Sequence, residues 1–527
     1  MIKYFVKSLA LISFVSLINY ASGQSPLQKR IESGVIEGAI SRHNDQVEKY
    51  LGIPYAQPPV GDLRWKAPLK PIPWKGVLKT QKYSKKAMQP LIAKMPWLKK
   101  DTFSEDCLYL NVWKPRDIGV GKLPVLVIIH GGGLMNGGTI GPTLEGSNMA
   151  KKGMVVVTVN YRLNIFGFFA HPELSAETAH NGSGNYGYMD QQFALQWIKK
   201  NIEVFGGDPN RITVAGESAG AWSVLTLISS PLSKDLVARA IGSSGGVIPL
   251  LSMEEAEKRG TTALNKSGHK TIAELRKAST EEILDIYNKG PRFAYMPTVD
   301  NYVFPKQIAD IYKAKEQADI PLLIGWNSSE QPFELFLGEA NYSKGHFVNR
   351  TKEMYPEHFE KILEMFPHET ENEIKWSATY LSSIKMTKKA WKWFDLHCKY
   401  NNQPVFRYLF SKIPPPHKTV DLSTYTPPLG VLHAQEIGYF WGNLALRKGY
   451  NYSEDDYNVS ALMQEYLSNF VKSGNPNGDQ LPEWPAVNPN SESPMILNID
   501  TQTKLIPASN DLRLRFMDNE GLLFQGR

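Results

Sequence analysis

Two uninterrupted apolar runs, PVLVIIH ending at His130 and MVVVTVNY ending at Tyr161, break the polar background of the chain. Runs of this kind suit parallel strands buried on both faces. CLYLNVW (Cys107 to Trp113) alternates at period two and predicts a half-buried strand. The stretch from Tyr188 to Phe205 carries apolar residues at helical spacing, stopped by Gly206-Gly207 and Pro209. ITVAG (Ile212 to Gly216) then reads as a short strand and AGAWSVLTLISS as the start of a helix. RAIGSS, IPLLIG (Ile320 to Gly325), VFRYLF (Val405 to Phe410) and MILNI (Met495 to Ile499) are further strand candidates. Near the start, Val35 to Ala56 with its turn-prone His43-Asn44-Asp45 predicts a hairpin, and Pro58 to Pro73 an irregular connection. Strand alternating with helix argues an α/β fold around a mostly parallel sheet. The more charged, helical regions 253–287 and 343–400 are read as caps over one end of it.

At about 150 residues per domain, 527 residues allow three or four domains. No internal repeat, low-complexity tract or linker divides the chain, so a single domain over 24–527 is expected. The composition, 42% hydrophobic and 21% charged with Gly and Pro spread throughout, excludes a disordered, collagen-like or coiled-coil chain. With only two cysteines, Cys107 and Cys398, neither a disulfide scaffold nor a cysteine-rich zinc site holds the fold. The net charge of +7 is scattered in short clusters such as Lys85-Lys86, which gives no footprint for nucleic acid.

Residues 1–23 combine Lys3 and Lys7, an apolar stretch from Ser8 to Ile18, and the small residues Ala21 and Gly23. That is the pattern of a secretory signal peptide cleaved after Gly23. The competing reading, a membrane anchor, needs a longer apolar run. A secreted, extracellular protein is expected, and sequons at Asn181, Asn265, Asn341, Asn349, Asn451 and Asn458 fit N-glycosylation on that route, while the sequon at Asn327 fits poorly because it falls beside a candidate catalytic residue.

Gly216-Glu217-Ser218-Ala219-Gly220 matches GxSxG, the pattern of a serine held on a sharp strand-to-helix turn with no room for side chains two positions either side. Gly242-Ser243-Ser244-Gly245-Gly246 matches too. Only Ser218 follows a strand and opens a helix, whose N-terminus favours developing negative charge. Ser218 is therefore the candidate nucleophile and Ser244 a buried supporting residue. His130-Gly131-Gly132-Gly133 directly follows a buried strand, where backbone N–H groups can hold an oxyanion. The expected donors are those of Gly132, Gly133 and Ala219.

These motifs, with LGIPYAQPPVGDLRWKAP (Leu51 to Pro68), SEDCLYLNVW, NYRLNIFGF, the block Gly184 to Gly220 and GVLHAQEIGYFWG (Gly430 to Gly442), resemble the type-B carboxylesterase and cholinesterase family of α/β hydrolases over essentially the whole length after residue 23. Within it the chain is most similar to arthropod-type secreted carboxylesterases. The resemblance implies an α/β-hydrolase fold and hydrolysis of small-molecule carboxylic esters through an acyl-serine, with no metal or cofactor. The family's order of serine, acid and histidine assigns His433 as base, with His130 as its rival, and Glu330 as acid. Ser329-Glu330-Gln331 stands where relatives have Asp-Glu-Gly, and Glu334 competes one helical turn later.

The resemblance also marks departures. No cysteine precedes Cys107 as a disulfide partner; Met88 occupies that position, so Cys107 and Cys398 are read as free thiols or a mutual pair. Trp97, Glu217 and Phe293 are the implied substrate-contacting residues. Trp97 has the spacing of the aromatic that holds choline by cation–π attraction, yet Leu134-Met135 and Pro291 replace other cholinesterase aromatics. A general carboxylesterase is preferred over a choline-ester-preferring one. Non-catalytic adhesion relatives of the fold lack the nucleophile or carry a membrane span, and this chain has an intact catalytic set.

Overall fold

The computed structural model describes residues 25–90, 102–338, 341–423, 425–488, 490–491 and 494–522, so the expected leader over residues 1–23 and Trp97 lie outside the described residues. Among these residues, eleven strands build one sheet: β1 (Ala39–Ile40), β2 (Val47–Pro54), β3 (Tyr109–Pro115), β4 (Leu123–Ile129), β5 (Val155–Val159), β6 (Gly207–Glu217), β7 (Arg239–Ser243), β8 (Leu322–Asn327), β9 (Val405–Phe410), β10 (Met495–Ile499) and β11 (Lys504–Pro507). Their spatial order is β11-β10-β9-β8-β7-β6-β4-β5-β3-β2-β1. Strands β4 through β10 are parallel to one another. The edges, β3-β2-β1 and β11, are antiparallel.

The continuous apolar runs exist because this sheet is covered twice. Side chains alternate along a strand, so Val125, Val127 and Ile129 of β4 enter one core while Leu126 and Ile128 enter the other. The first core takes in helix α1 (Tyr186–Asn201) through Leu195 and Ile198, and helix α2 (Ala219–Ser229) through Val224 and Ile228. Helices α3 (Met253–Ser267) and α4 (Thr280–Lys289) lie in the charged region after β7, and α5 (Glu371–Tyr400) returns Trp393 to the same core. The second core packs α6 (Glu454–Ser473) through Met463, Leu467 and Phe470. Each such side chain, fully buried, contributes about 1.5–3 kcal/mol.

The strand expected to be half-buried is not. From Leu110 to Pro115, β3 is buried at every position. Its alternation marks an internal polar network instead: Asn111 Nδ2 donates to Thr139 Oγ1 and Thr158 Oγ1, both at 3.0 Å. A buried polar side chain whose bonds are met has no need of solvent. The hairpin of β1 and β2 forms as its turn residues predict.

Candidate active site

The site lies beyond the carboxyl ends of the parallel strands, where open α/β sheets place their ligands. β6 ends at Glu217 and α2 begins at Ala219, which leaves Ser218 alone to make the turn, at φ +57° and ψ −123°. A non-glycine residue there is strained, and its neighbours make the strain possible. A Cβ on Gly216 would lie 2.3 Å from the backbone of Gly220, and one on Gly220 would lie 2.3 Å from the Ile129 carbonyl oxygen. The Ser218 N–H donates to the Ser243 carbonyl at 2.8 Å, carrying the ladder with β7 past the strand end.

His433 Nε2 lies 2.9 Å from Ser218 Oγ, and His433 Nδ1 lies 2.6 Å from Glu330 Oε2. Glu330 follows β8 and His433 follows β9, and a short bridge ties them together. Glu330 N–H donates to the Val431 carbonyl at 3.0 Å, and His433 N–H donates to the Glu330 carbonyl at 2.8 Å. Gly430 permits this approach, since a Cβ there would fall 2.5 Å from Ser328 Oγ. Glu330 Oε1 accepts from Ser244 Oγ at 2.6 Å and from the Asn327 N–H at 2.8 Å. The second GxSxG serine thus supports Glu330. Glu334, the competing acid, is exposed at the start of a short helix.

His130 belongs to the scaffold. It stacks on Tyr161 with centroids 4.4 Å apart, and burial lowers it to about 4. Behind it, Gly131 passes close to Ser218: a Cβ there would sit 2.6 Å from the Glu217 carbonyl oxygen and 3.2 Å from Ser218 Cβ. Gly132 and Gly133 have φ of +107° and +67°. Among the described residues, the Gly132 and Gly133 N–H groups are not taken up by the turns of this loop, whose bonds run from Met135 and Asn136 to the Gly132 carbonyl. The Ala219 N–H, at the first turn of α2, has no intrahelical acceptor.

Three carboxylates surround the imidazole. Glu217 Oε1 lies 3.2 Å from His433 Nε2. Glu436, fully buried, accepts from Ser243 Oγ and Asn327 Nδ2, each at 2.6 Å. Burial raises Glu217 to about 8 and also raises Glu436. Burial opposes charge on His433, but the carboxylates of Glu217 and Glu330 outweigh it and raise the imidazole above its ordinary value. Sequence reasoning missed Glu436 and the Asn327 side chain; the only signal was that Glu436 follows His433 by three residues.

Asn327 is buried and hydrogen-bonded, so it is excluded as a glycan acceptor, whereas the other six sequon asparagines are exposed. Cys107 and Cys398 are both free, and Cys107 lines a small void together with Met88. Among the described residues no cluster of three His, Cys, Asp or Glu side chains fits a metal ion, and no helix is long and apolar enough to cross a membrane.

A mostly parallel sheet with a strained serine between strand and helix, an imidazole and a buried carboxylate defines a serine hydrolase of the α/β-hydrolase fold. The carboxylesterase family model matches residues 25–517, and the chain belongs to that family. A fumonisin B1 esterase of Sphingopyxis macrogoltabida is 39% identical over 58% of this chain and 56% of its own length. An acylcarnitine hydrolase of Mus musculus is 31% identical over 93% of this chain and 90% of that enzyme. A solved PNB esterase superposes with TM-score 0.78 at 28% identity, covering 93% of this chain and 99% of its own. The protein is a carboxylic ester hydrolase that works through an acyl-serine intermediate.

Proposed function

We propose that Ser218, His433 and Glu330 carry the reaction, with the N–H groups of Gly132, Gly133 and Ala219 as the oxyanion hole. The continuous contact from Ser218 Oγ through His433 to Glu330, 2.9 Å and 2.6 Å, carries this reading. His433 Nε2 takes the serine proton as Ser218 Oγ attacks the ester carbonyl carbon. The oxygen, now negative, is held by the three N–H groups. His433 returns the proton to the departing alcohol, and water repeats the sequence to release the acid. Glu330 holds the imidazole in the tautomer that leaves Nε2 free to accept. Ser218→Ala is expected to abolish hydrolysis of p-nitrophenyl esters; retained turnover overturns the assignment.

The same proposal includes a leader over residues 1–23, secretion of a single catalytic domain over 24–527, glycans at exposed sequons, and the finer placement beside arthropod-type secreted carboxylesterases. Glu217 and Phe293 border the substrate space in this reading. Lys86 and Glu217 line one cleft of about 350 Å³ next to the oxyanion loop. Leu134-Met135 and Pro291, standing where cholinesterases carry aromatics, favour a general carboxylesterase over a choline-ester-preferring one.

A further inference from the structure

Phe293 lies against the oxyanion loop: a Cβ on Gly133 would be 3.5 Å from its ring. Its φ of +61° is costly for an aromatic residue. Arg259 braces the turn by donating to the carbonyl oxygens of Phe293 and Ala294 at 3.5 Å and 3.3 Å. Two cations flank the ring, Arg292 at 5.1 Å and Lys385 at 5.8 Å from its centroid. One turn further along α5, Lys389 Nζ lies 4.6 Å from the ring of Trp222. Trp222 itself stands one turn along α2 from Ser218, so its N–H reaches back to the Ser218 carbonyl at 3.2 Å.

Among the described residues, Arg292, Lys385 and Lys389 form no ion pair, although nearby cations do. Arg259 holds Glu255, Lys289 holds Asp285 and Lys375 holds Glu371. Lys388, between the two lysines, turns away and donates to the Met517 and Leu522 carbonyls. Like charges four residues apart on a helix repel. Burial, reinforced by Lys385 and Lys388, lowers Lys389 to about 8. Three cations thus lie against the rings of Phe293 and Trp222 without a carboxylate in ion-pair contact, Arg292 and Lys385 exposed and Lys389 partly buried. Phe293 and Arg292 also wall a cleft of about 720 Å³, which Glu282, Asp285 and Lys289 line as well.

We propose that Arg292, Lys385 and Lys389 select esters whose acyl chain carries a second, ionised carboxylate, the half-esters of dicarboxylic acids. The acyl group is the part that stays bonded to Ser218 after the alcohol leaves, and the rings that present these cations flank Ser218 and Gly133. The proposal rests on the assignment of Ser218 as nucleophile. A distal carboxylate a few methylenes from the reacting carbonyl would find the charge that the protein leaves unpaired, and a neutral chain would leave it unmatched.

The test compares kcat/KM for mono(p-nitrophenyl) glutarate and p-nitrophenyl valerate, which share a chain length and differ in a terminal carboxylate against a methyl. In the unmodified enzyme the glutarate-to-valerate ratio is expected to fall as salt is added. It is expected to fall about tenfold in Lys385→Gln/Lys389→Gln, less in Arg292→Gln, and to be retained in Lys385→Arg/Lys389→Arg. A ratio indifferent to both salt and the glutamine substitutions overturns the proposal while leaving Ser218 in place. An enzyme that hydrolyses neither ester overturns the nucleophile assignment, and this proposal with it.

Discussion

Ser244 Oγ donates to Glu330 Oε1 at 2.6 Å, while His433 occupies the other oxygen of the same carboxylate, also at 2.6 Å. With the Asn327 N–H added, Glu330 is fixed on both oxygens, and its orientation fixes that of the imidazole. A glutamine at 330 would offer His433 an amide and favour the wrong tautomer. Glu330→Gln is therefore expected to lower kcat about 10³- to 10⁴-fold. Ser244→Ala removes one bond to a charged acceptor and is expected to cost about ten- to a hundredfold. Steady-state kinetics on p-nitrophenyl butyrate check both, and a larger loss in Ser244→Ala than in Glu330→Gln contradicts the hierarchy.

Glu217 sets the acid limb of the pH profile. Only neutral His433 can accept the serine proton, so kcat/KM rises as pH climbs through the imidazole pKa. The nearby carboxylates raise that pKa, and Glu217 stands 3.2 Å from Nε2. Removing its charge favours the neutral imidazole. Glu217→Gln is expected to move the acid limb to lower pH; a limb that stays in place or moves upward contradicts the electrostatic reading.

Gly131→Ala tests the fit between oxyanion loop and nucleophile. The added methyl would meet the Glu217 carbonyl oxygen at 2.6 Å, forcing the loop away from Ser218. The expected loss is about a hundred- to a thousandfold in kcat, the size seen when an oxyanion donor is displaced. Circular dichroism should show the sheet and helices retained. Unchanged kcat in the folded variant speaks against the loop's role.

Glycan mapping tests the burial of Asn327. Its side chain donates to the Leu432 carbonyl at 3.1 Å and to Glu436 at 2.6 Å, inside the base-bearing loop. After expression in a glycosylating host, peptides covering Asn327 should be unmodified, with occupancy confined to the exposed sequons. A glycan at Asn327 in active enzyme contradicts the geometry.

Much of this arrangement was legible because backbone constraints leave marks in sequence. The glycines two positions either side of Ser218 are dictated by contacts of 2.3 Å, and the valine-rich β5 by its burial on both faces. Choosing Glu330 over Glu334 needed family order, since either can follow a strand end; burial separates them in the fold. The polar positions of β3 misled because Asn111 bonds to Thr139 and Thr158, partners distant in the chain. Glu436 was invisible for the same reason: its partners Ser243 and Asn327 sit at the ends of other strands.

Labelling the purified protein with a fluorophosphonate and locating the adduct by peptide mass spectrometry tests whether Ser218 is the nucleophile activated by His433. Stoichiometric modification at Ser218, loss of esterase activity in proportion, and no labelling in Ser218→Ala or His433→Ala are expected. Labelling at Ser244, or labelling of Ser218→Ala at an undiminished rate, would contradict that assignment.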